Sequence, residues 1–396
     1  MSGADMTFDG PLTSTHGIAR GHLASPQTVT TQRPLIADAE RLGEALLPLA
    51  EAGSPGRVNR DLVGAIASAG LFDRVLGDGR VTAAELCQIR QGLARVCPEA
   101  ETAFAVQGLG ATPILLSGSD AARDRWLGAL RSGEAIAAFA LTESGAGSDA
   151  GSLEMRAEPD GDGYRLTGEK TYISNAPDAD IATVFARTSE TGAKGVTAFA
   201  VPIDSDGVSG EPIEMISPHP LGRWSFDGVF VAAEMILGEI DQGFGVAMQT
   251  LDLFRPSVGA FTLGMAEAAL RIAVEHAATR EAFGTTLAGL QGVSHQLADV
   301  RVGIAAAEHL VYDAANAYDR GDDAALTGKA AMAKLFSTEV AQKAVDVAIQ
   351  VLGARGLEAD STLAHLYKEV RAPRIYEGTS EIQRNIIARE LFRGRI

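Results

Sequence analysis

The apolar pattern predicts an α+β protein in three successive parts: an N-terminal α-helical domain, a middle β-domain and a C-terminal helical bundle. Two changes of period carry that prediction. Helical spacing gives way near Ala135 to short alternating strands, and after Gly245 the helical spacing returns. A third observation bounds the size: 396 residues with 46% apolar content suffice for two or three packed units and exclude a disordered chain.

The first 33 residues mix Gly, Ser, Thr, His and Pro without a sustained period and read as an extension. Over 34–134, Leu35, Ala39, Leu42, Leu46 and Leu49 repeat at three- and four-residue steps. Leu62, Ile66 and Leu71 continue the pattern, with further helical stretches at Leu86–Val96, Phe104–Leu116 and Ala121–Leu130. The β-domain is expected over 135–243. It opens with the buried run Ala135–Thr142, continues through Tyr164, Leu166, Tyr172 and Ile173, and is punctuated by the turn Asp160-Gly161-Asp162-Gly163. Ile181–Ala186, Val196–Val201 and Val229–Val231 keep its rhythm. Over 244–396 the seam Val293, Leu297, Val300, Ile304, Ala307, Val311 and Tyr318 suits antiparallel helix packing. Met332, Phe336, Val345, Ile349 and Leu352 mark another helix.

A formal charge of −17 argues against a nucleic-acid surface and favours solubility and basic partners. Cys87 and Cys97 give neither a disulfide framework nor a Cys-x-x-Cys pair, so a reducing compartment is the default. No apolar run approaches the ~20 residues of a membrane span and the first residues lack a signal-peptide pattern, so a cytoplasmic protein without membrane attachment is expected. No Gly-x-Ser-x-Gly string supports a nucleophilic hydrolase. His276, His295 and His309 lie in helical stretches without a His-Glu-x-x-His pattern, so no metal site is expected.

Five short segments carry the chemistry. In Ile375-Tyr376-Glu377-Gly378-Thr379-Ser380-Glu381-Ile382-Gln383, Ser380 and Gln383 have the form of a capping box, placing Glu377 in the turn before a helix through Ile386, Ile387 and Leu391. Such a junction can hold a carboxylate or cradle a phosphate, or it is simply a capped helix with an incidental acid. Thr142-Glu143-Ser144-Gly145-Ala146-Gly147-Ser148-Asp149 contains a Gly-x-Gly-x-x-Ala string. Residues 152–168 beyond it read as strands rather than a helix, which excludes a Rossmann fingerprint and leaves an anion-approaching loop or a plain surface turn. Lys170-Thr171-Tyr172-Ile173-Ser174-Asn175 places Tyr172 and Ser174 on one face of a strand by its two-residue period. Arg280-Glu281-Ala282-Phe283-Gly284, with Gln291 downstream, offers a planar fork for a pyrophosphate beside an apolar ring; ion pairing on a helix end and core burial are the plainer readings. Arg255-Pro256 falls in a helical stretch, where Pro either kinks the helix or marks a first turn.

Taken together and in order, these segments resemble the acyl-CoA dehydrogenase family from about residue 35 to the end: its Ile-Tyr-Glu-Gly-Thr, Thr-Glu-Pro-Gly-Ala-Gly-Ser-Asp with Ser144 for Pro, Lys-x-Trp-Ile-Thr-Asn with Tyr172 and Ser174 substituted, and Arg-x-x-Phe-Gly. Gln350-Val351-Leu352-Gly353-Ala354 looks like its Gln-x-x-Gly-Gly, with Ala354 departing. The resemblance implies FAD-dependent α,β-dehydrogenation of an acyl-CoA to the trans-2-enoyl-CoA. Glu377 would be the base and flavin N5 the hydride acceptor. It further implies flavin contacts from Phe139, Leu141, Thr142, Gly147, Ser148, Tyr172 and Ser174. Arg280, Phe283, Gln291, Gln350 and Gly353 would reach the FAD held mainly by a neighbouring subunit, and Thr379 and Glu381 would touch FAD as well. Ser148, Asp252, Arg255, Gly378 and Arg389 fall to the substrate.

Some relatives carry the base two residues before the Arg of Arg-Pro; here that position is Leu253, leaving Glu377 as the candidate. The resemblance also implies a homotetramer and an electron-transfer flavoprotein as acceptor. An acyl-CoA oxidase, a flavin monooxygenase or a dehydrogenase of carrier-protein thioesters are alternatives on the same fold. Where glutaryl-type relatives carry an Arg for a distal carboxylate, this chain has Glu101, whose charge would repel dicarboxylyl substrates.

Overall fold

The computed structural model describes residues 33–77, 81–176, 178–190 and 192–396; the extension expected over 1–33 lies, but for Arg33, outside them. The α, β, α order predicted from the sequence is the architecture observed.

Six helices come first: α1 (Pro34–Glu51), α2 (Arg60–Ser68), α3 (Leu71–Leu76), α4 (Ala83–Ala94), α5 (Pro98–Ser117) and α6 (Asp120–Ser132). Side-chain caps open three of them, Asn59 on α2, Thr82 on α4 and Ser119 on α6, each accepting from a backbone N–H three residues on. α4 lies between α1 and the long helix α7 (Gly243–Thr279), and two glycines permit this approach. A Cβ on Gly92 would fall 2.3 Å from the Ile36 carbonyl oxygen, and one on Gly264 2.3 Å from that of Gln91.

The middle part is a mixed sheet of β1 (Ala137–Ala140), β2 (Arg156–Asp160), β3 (Gly163–Ser174), β4 (Ile181–Arg187), β5 (Val196–Pro202), β6 (Val208–Pro212), β7 (Leu221–Ala232) and β8 (Ile236–Leu237). Its order is β6-β7-β3-β2-β4-β5-β8, with β1 parallel to β4. β4 and β5 are buried on both faces apart from their last residues, which explains their continuous apolar runs. β7 largely alternates buried with more exposed residues, whereas β3 loses that alternation because it slips register twice, between Leu166 and Gly168 and between Lys170 and Ile173.

After α7 come the two-residue strands β9 (Glu281–Ala282) and β10 (Thr285–Thr286), then α8 (Gln291–Arg320), α9 (Asp323–Leu352), α10 (Thr362–Glu369) and α11 (Ser380–Phe392). Pro256 lies inside α7 rather than in a first turn. The sequence pattern showed no stretch approaching a membrane span, yet α7 is long and apolar enough for one by length and composition. It is the central helix of the bundle, with 72% of its most apolar window buried, so its hydropathy reflects packing against α4, α8 and α9.

Candidate active site

The loop between α10 and α11 turns sharply at two consecutive residues with left-handed backbone, Glu377 (φ 52°) and Gly378 (φ 90°). A Cβ on Gly378 would sit 2.7 Å from Gln383 Nε2, so glycine is required there twice over. Glu377 is not glycine, and its conformation costs on the order of 1–3 kcal/mol that the surroundings must supply. They do so through the backbone carbonyls. Arg255 Nε donates to the Glu377 carbonyl (3.3 Å), Lys334 Nζ to that of Gly378 (2.7 Å), and Gln383 Nε2 to both (3.0 and 2.9 Å). Ser380 Oγ donates to Glu339 (2.7 Å), which also meets Arg374 (2.8 Å), tying both flanks of the loop to α9.

The capping box expected at Ser380 and Gln383 is therefore corrected. The N-cap of α11 is Thr379, whose Oγ1 accepts from Ile382 N–H at 3.3 Å. Ser380 is taken by the Glu339 carboxylate, and Gln383 serves the two strained carbonyls instead of the cap.

Oε2 of Glu377 is shut off from solvent and has no hydrogen-bond partner among the described residues. Burial pushes its carboxyl above the ordinary range, while Arg90, Arg255 and Lys334 pull it back. Burial in turn lowers the Lys334 ammonium to about 8 and depresses Arg255, against the pull of Asp252 and Glu377. Asp252 pairs with Arg255 (3.4 Å) and accepts from Thr327 Oγ1 (3.1 Å). Arg389 is half-exposed and donates to Glu390 (3.1 Å). Leu253 is wholly buried.

Two cations in this group, Arg90 and Lys334, escaped the sequence reading. Lys334 stands alone in the apolar stretch Ala331-Met332-Ala333-Lys334-Leu335, and Arg90 is the one charge in Leu86-Cys87-Gln88-Ile89-Arg90-Gln91-Gly92-Leu93. A charge that its own helix buries needs a partner from elsewhere, and that was the available signal. Arg90 also ion-pairs with buried Glu101 and donates to Ser257 Oγ (2.6 Å). Glu101 is thus a compensated carboxylate rather than the bare charge expected to repel dicarboxylyl substrates.

The Gly-rich segment is braced from below. Glu143 accepts from the Glu154 and Met155 N–H groups (2.6 and 3.1 Å) and pairs with fully buried Lys170 (2.7 Å), which burial lowers to about 8. Above this brace Gly147 and Ser148 are exposed, and nothing lies within 4 Å of a Cβ built on Gly145 or Gly147. Thr171 N–H donates to the Thr142 carbonyl (3.0 Å), joining the segment to β3. Beside it Tyr172 is left-handed (φ 55°) and 58% exposed, at the register slip, with Ile173 buried and Ser174 half-buried. Phe139 packs against Phe185 (4.9 Å between centroids) and Leu141 is buried beneath. An exposed aromatic next to open peptide edges fits a flat polar ring carrying a phosphate tail. The residues present accordingly fit FAD. Ser174 pairs in register with Leu221, two residues from His219, which meets Glu369 of α10; this connects the sheet to the Glu377 loop.

A third group lies apart. Arg280, the C-cap of α7, lies twenty-five positions beyond Arg255, about 37 Å at ~1.5 Å per residue. Phe283, at the tip between β9 and β10, is left-handed (φ 54°) and 93% exposed, and Arg280 and Gln291 are exposed. At the end of α9, Gln350 and Gly353 (φ 63°) are exposed too. Burial holds the His276 ring below the usual range, and the Arg355 and Arg280 charges from the two helix ends push it the same way. Of the five non-glycine residues with left-handed backbone among those described, Tyr172, Phe283 and Glu377 each come from a different one of these groups. Thr379 is half-buried in its cap and Glu381 is exposed.

Family profiles match the chain in order: acyl-CoA dehydrogenase N-terminal domain over residues 31–134, middle domain over 138–229 and C-terminal domain over 241–392. A 3-(aryl)acrylate reductase of Clostridium sporogenes is 41% identical over 286 residues, 71% of this chain and 75% of that protein. The caffeyl-CoA reductase-Etf complex subunit CarC of Acetobacterium woodii is 36% identical over 288 residues, 71% of this chain and 74% of its own length. The solved structure of butyryl-CoA dehydrogenase from Megasphaera elsdenii superposes with a TM-score of 0.85 at 31% identity, covering 93% of this chain and all of that one.

Proposed function

The chain belongs to the acyl-CoA dehydrogenase family, FAD-dependent oxidoreductases acting on acyl-CoA thioesters, and on that premise we propose that Glu377 is the base that takes the substrate's α-proton. FAD, when bound, supplies the acceptor for the β-hydride. One observation carries the assignment: a carboxylate oxygen sealed from water, without a partner among the described residues, on a residue held in a strained conformation.

The surroundings suit that task. A weak carbon acid demands a base of raised pKa, and burial of Glu377 moves its carboxyl in that direction. Arg255, Lys334 and Gln383 occupy the carbonyls of Glu377 and Gly378. The Glu377 N–H has no partner among the described residues and is available to polarise the thioester carbonyl. Thr142, Ser148, Tyr172 and Ser174 are the groups to hold the flavin ring and its phosphates.

The remote group supports an oligomer. Arg280 and Phe283 are exposed and too far from Glu377 to serve the same cofactor within one chain, which favours a cofactor shared between subunits and, in our reading, a homotetramer. An electron-transfer flavoprotein is the favoured redox partner, supported by the relative named as part of an Etf complex. A second reading concerns direction: two relatives are named reductases, and a carboxyl of raised pKa equally delivers an α-proton to an enoyl thioester.

The test is anaerobic mixing of the FAD-loaded protein with a series of acyl-CoAs, then admission of oxygen. Bleaching of the visible flavin band that oxygen restores slowly supports the dehydrogenase, and fast restoration with peroxide marks an oxidase. No bleaching by any acyl-CoA, and no reoxidation of the reduced protein by any enoyl-CoA, contradicts the assignment.

A further inference from the structure

We propose that Lys334 is a positioning residue for Glu377: its ammonium fixes the Gly378 carbonyl and sets a buried positive charge against the loop that carries the base. This rests on the reading of Glu377 as the base.

Lys334 is wholly buried, and its Nζ donates to the Gly378 carbonyl at 2.7 Å. Five residues on, Glu339 holds Ser380 and Arg374, so α9 grips the loop from both sides of Glu377. Packing alone does not call for a lysine here. Ala330, Ala331 and Ala333 around it are fully buried, and a methionine would fill the same space without desolvating a charge.

The charges facing each group are few. Glu377 is faced by Arg90 from α4, Arg255 from α7, Lys334 from α9 and the Tyr376 phenol of its own loop, and Lys334 by Glu377, Glu339, Glu381 and Arg255. Burial lowers Lys334 to about 8, which leaves it mostly protonated at neutral pH. Removing that cation leaves the Glu377 carboxylate less compensated, so its pKa climbs and a smaller fraction is basic.

Acetyl-CoA isolates this effect, because it has α-hydrogens but no β-carbon. Its α-hydrogen exchange in D2O, followed by NMR with the FAD-loaded protein, reads the base without hydride transfer. In Lys334→Met the acid limb of the exchange-pH profile is expected to move up by about one unit, a roughly tenfold loss below the limb, with acetyl-CoA affinity changed less than about threefold. Lys334→Arg should keep the wild-type limb. Should the Met variant fail to fold, Lys334→Gln makes the same test.

An unmoved limb in the neutral variant, with or without a lower melting temperature, overturns the proposal. Glu377→Gln separates the base assignment from the role of Lys334. If it exchanges as fast as wild type, the base assignment falls and this inference with it. If it is inactive while the Lys334 variants keep the wild-type profile, only the inference about Lys334 falls.

Discussion

At residue scale the site is a negotiation between burial and charge around one carboxyl. Glu377 and Gly378 were legible as a string, but Lys334 and Arg90 were not. Lys334 lies 44 residues from the carbonyl it holds, and Arg90 comes from a different domain altogether. Single-sequence patterns show local periods, not which buried charges meet. The raised pKa of Glu377 has a consequence for stability whose sign is definite. Between its ordinary range near 4.5 and the higher folded value, the native state holds this proton and the unfolded chain does not. That contribution is complete at low pH and is lost as pH rises through the folded pKa. Glu377→Gln lacks it, so its melting temperature relative to wild type should climb across that window. Paired melting curves with parallel pH dependence would contradict the shift.

Among the elements, those with strong periods were readable and those without were not. The long seams of α8 and α9 and the apolar runs of β4 and β5 announced themselves. β6, exposed along nearly all its length, and β8, two residues long, offered no alternation to read. The start of α11 was found but its cap was misplaced by one residue. Thr379 and Ser380 are both good caps in sequence, and only the position of Glu339 decides between them. Thr379→Ala should therefore cost about 1 kcal/mol, visible as a lower urea midpoint with unchanged slope. Equal loss from Ser380→Ala in a Glu339→Gln background, with none from Thr379→Ala, would return the cap to Ser380.

For the whole molecule, the three-part order was evident from two changes of period, whereas the separation of the site into groups was not. It depends on α7 continuing unbroken through Pro256, which puts Arg255 and Arg280 at positions about 37 Å apart. Our proposal of a cofactor completed by a second subunit rests on that length. Arg280→Ala should purify with much less FAD than wild type although Thr142, Tyr172 and Glu377 are untouched. The ratio of flavin to protein absorbance across the size-exclusion peak measures this. Wild-type FAD content in that variant would detach Arg280 from the cofactor.

Glu377 is proposed to remove the α-proton. The most direct measurement is stopped-flow bleaching of the flavin by a saturating acyl-CoA in Glu377→Gln, with α-deuterium exchange recorded in parallel. The amide keeps the size of the side chain and loses only its basicity. We expect a folded, yellow, thioester-binding protein whose bleaching is slower by at least ~10²–10⁴-fold and whose exchange is lost to match. Bleaching and exchange at nearly the wild-type rate would show that Glu377 merely flanks a helix.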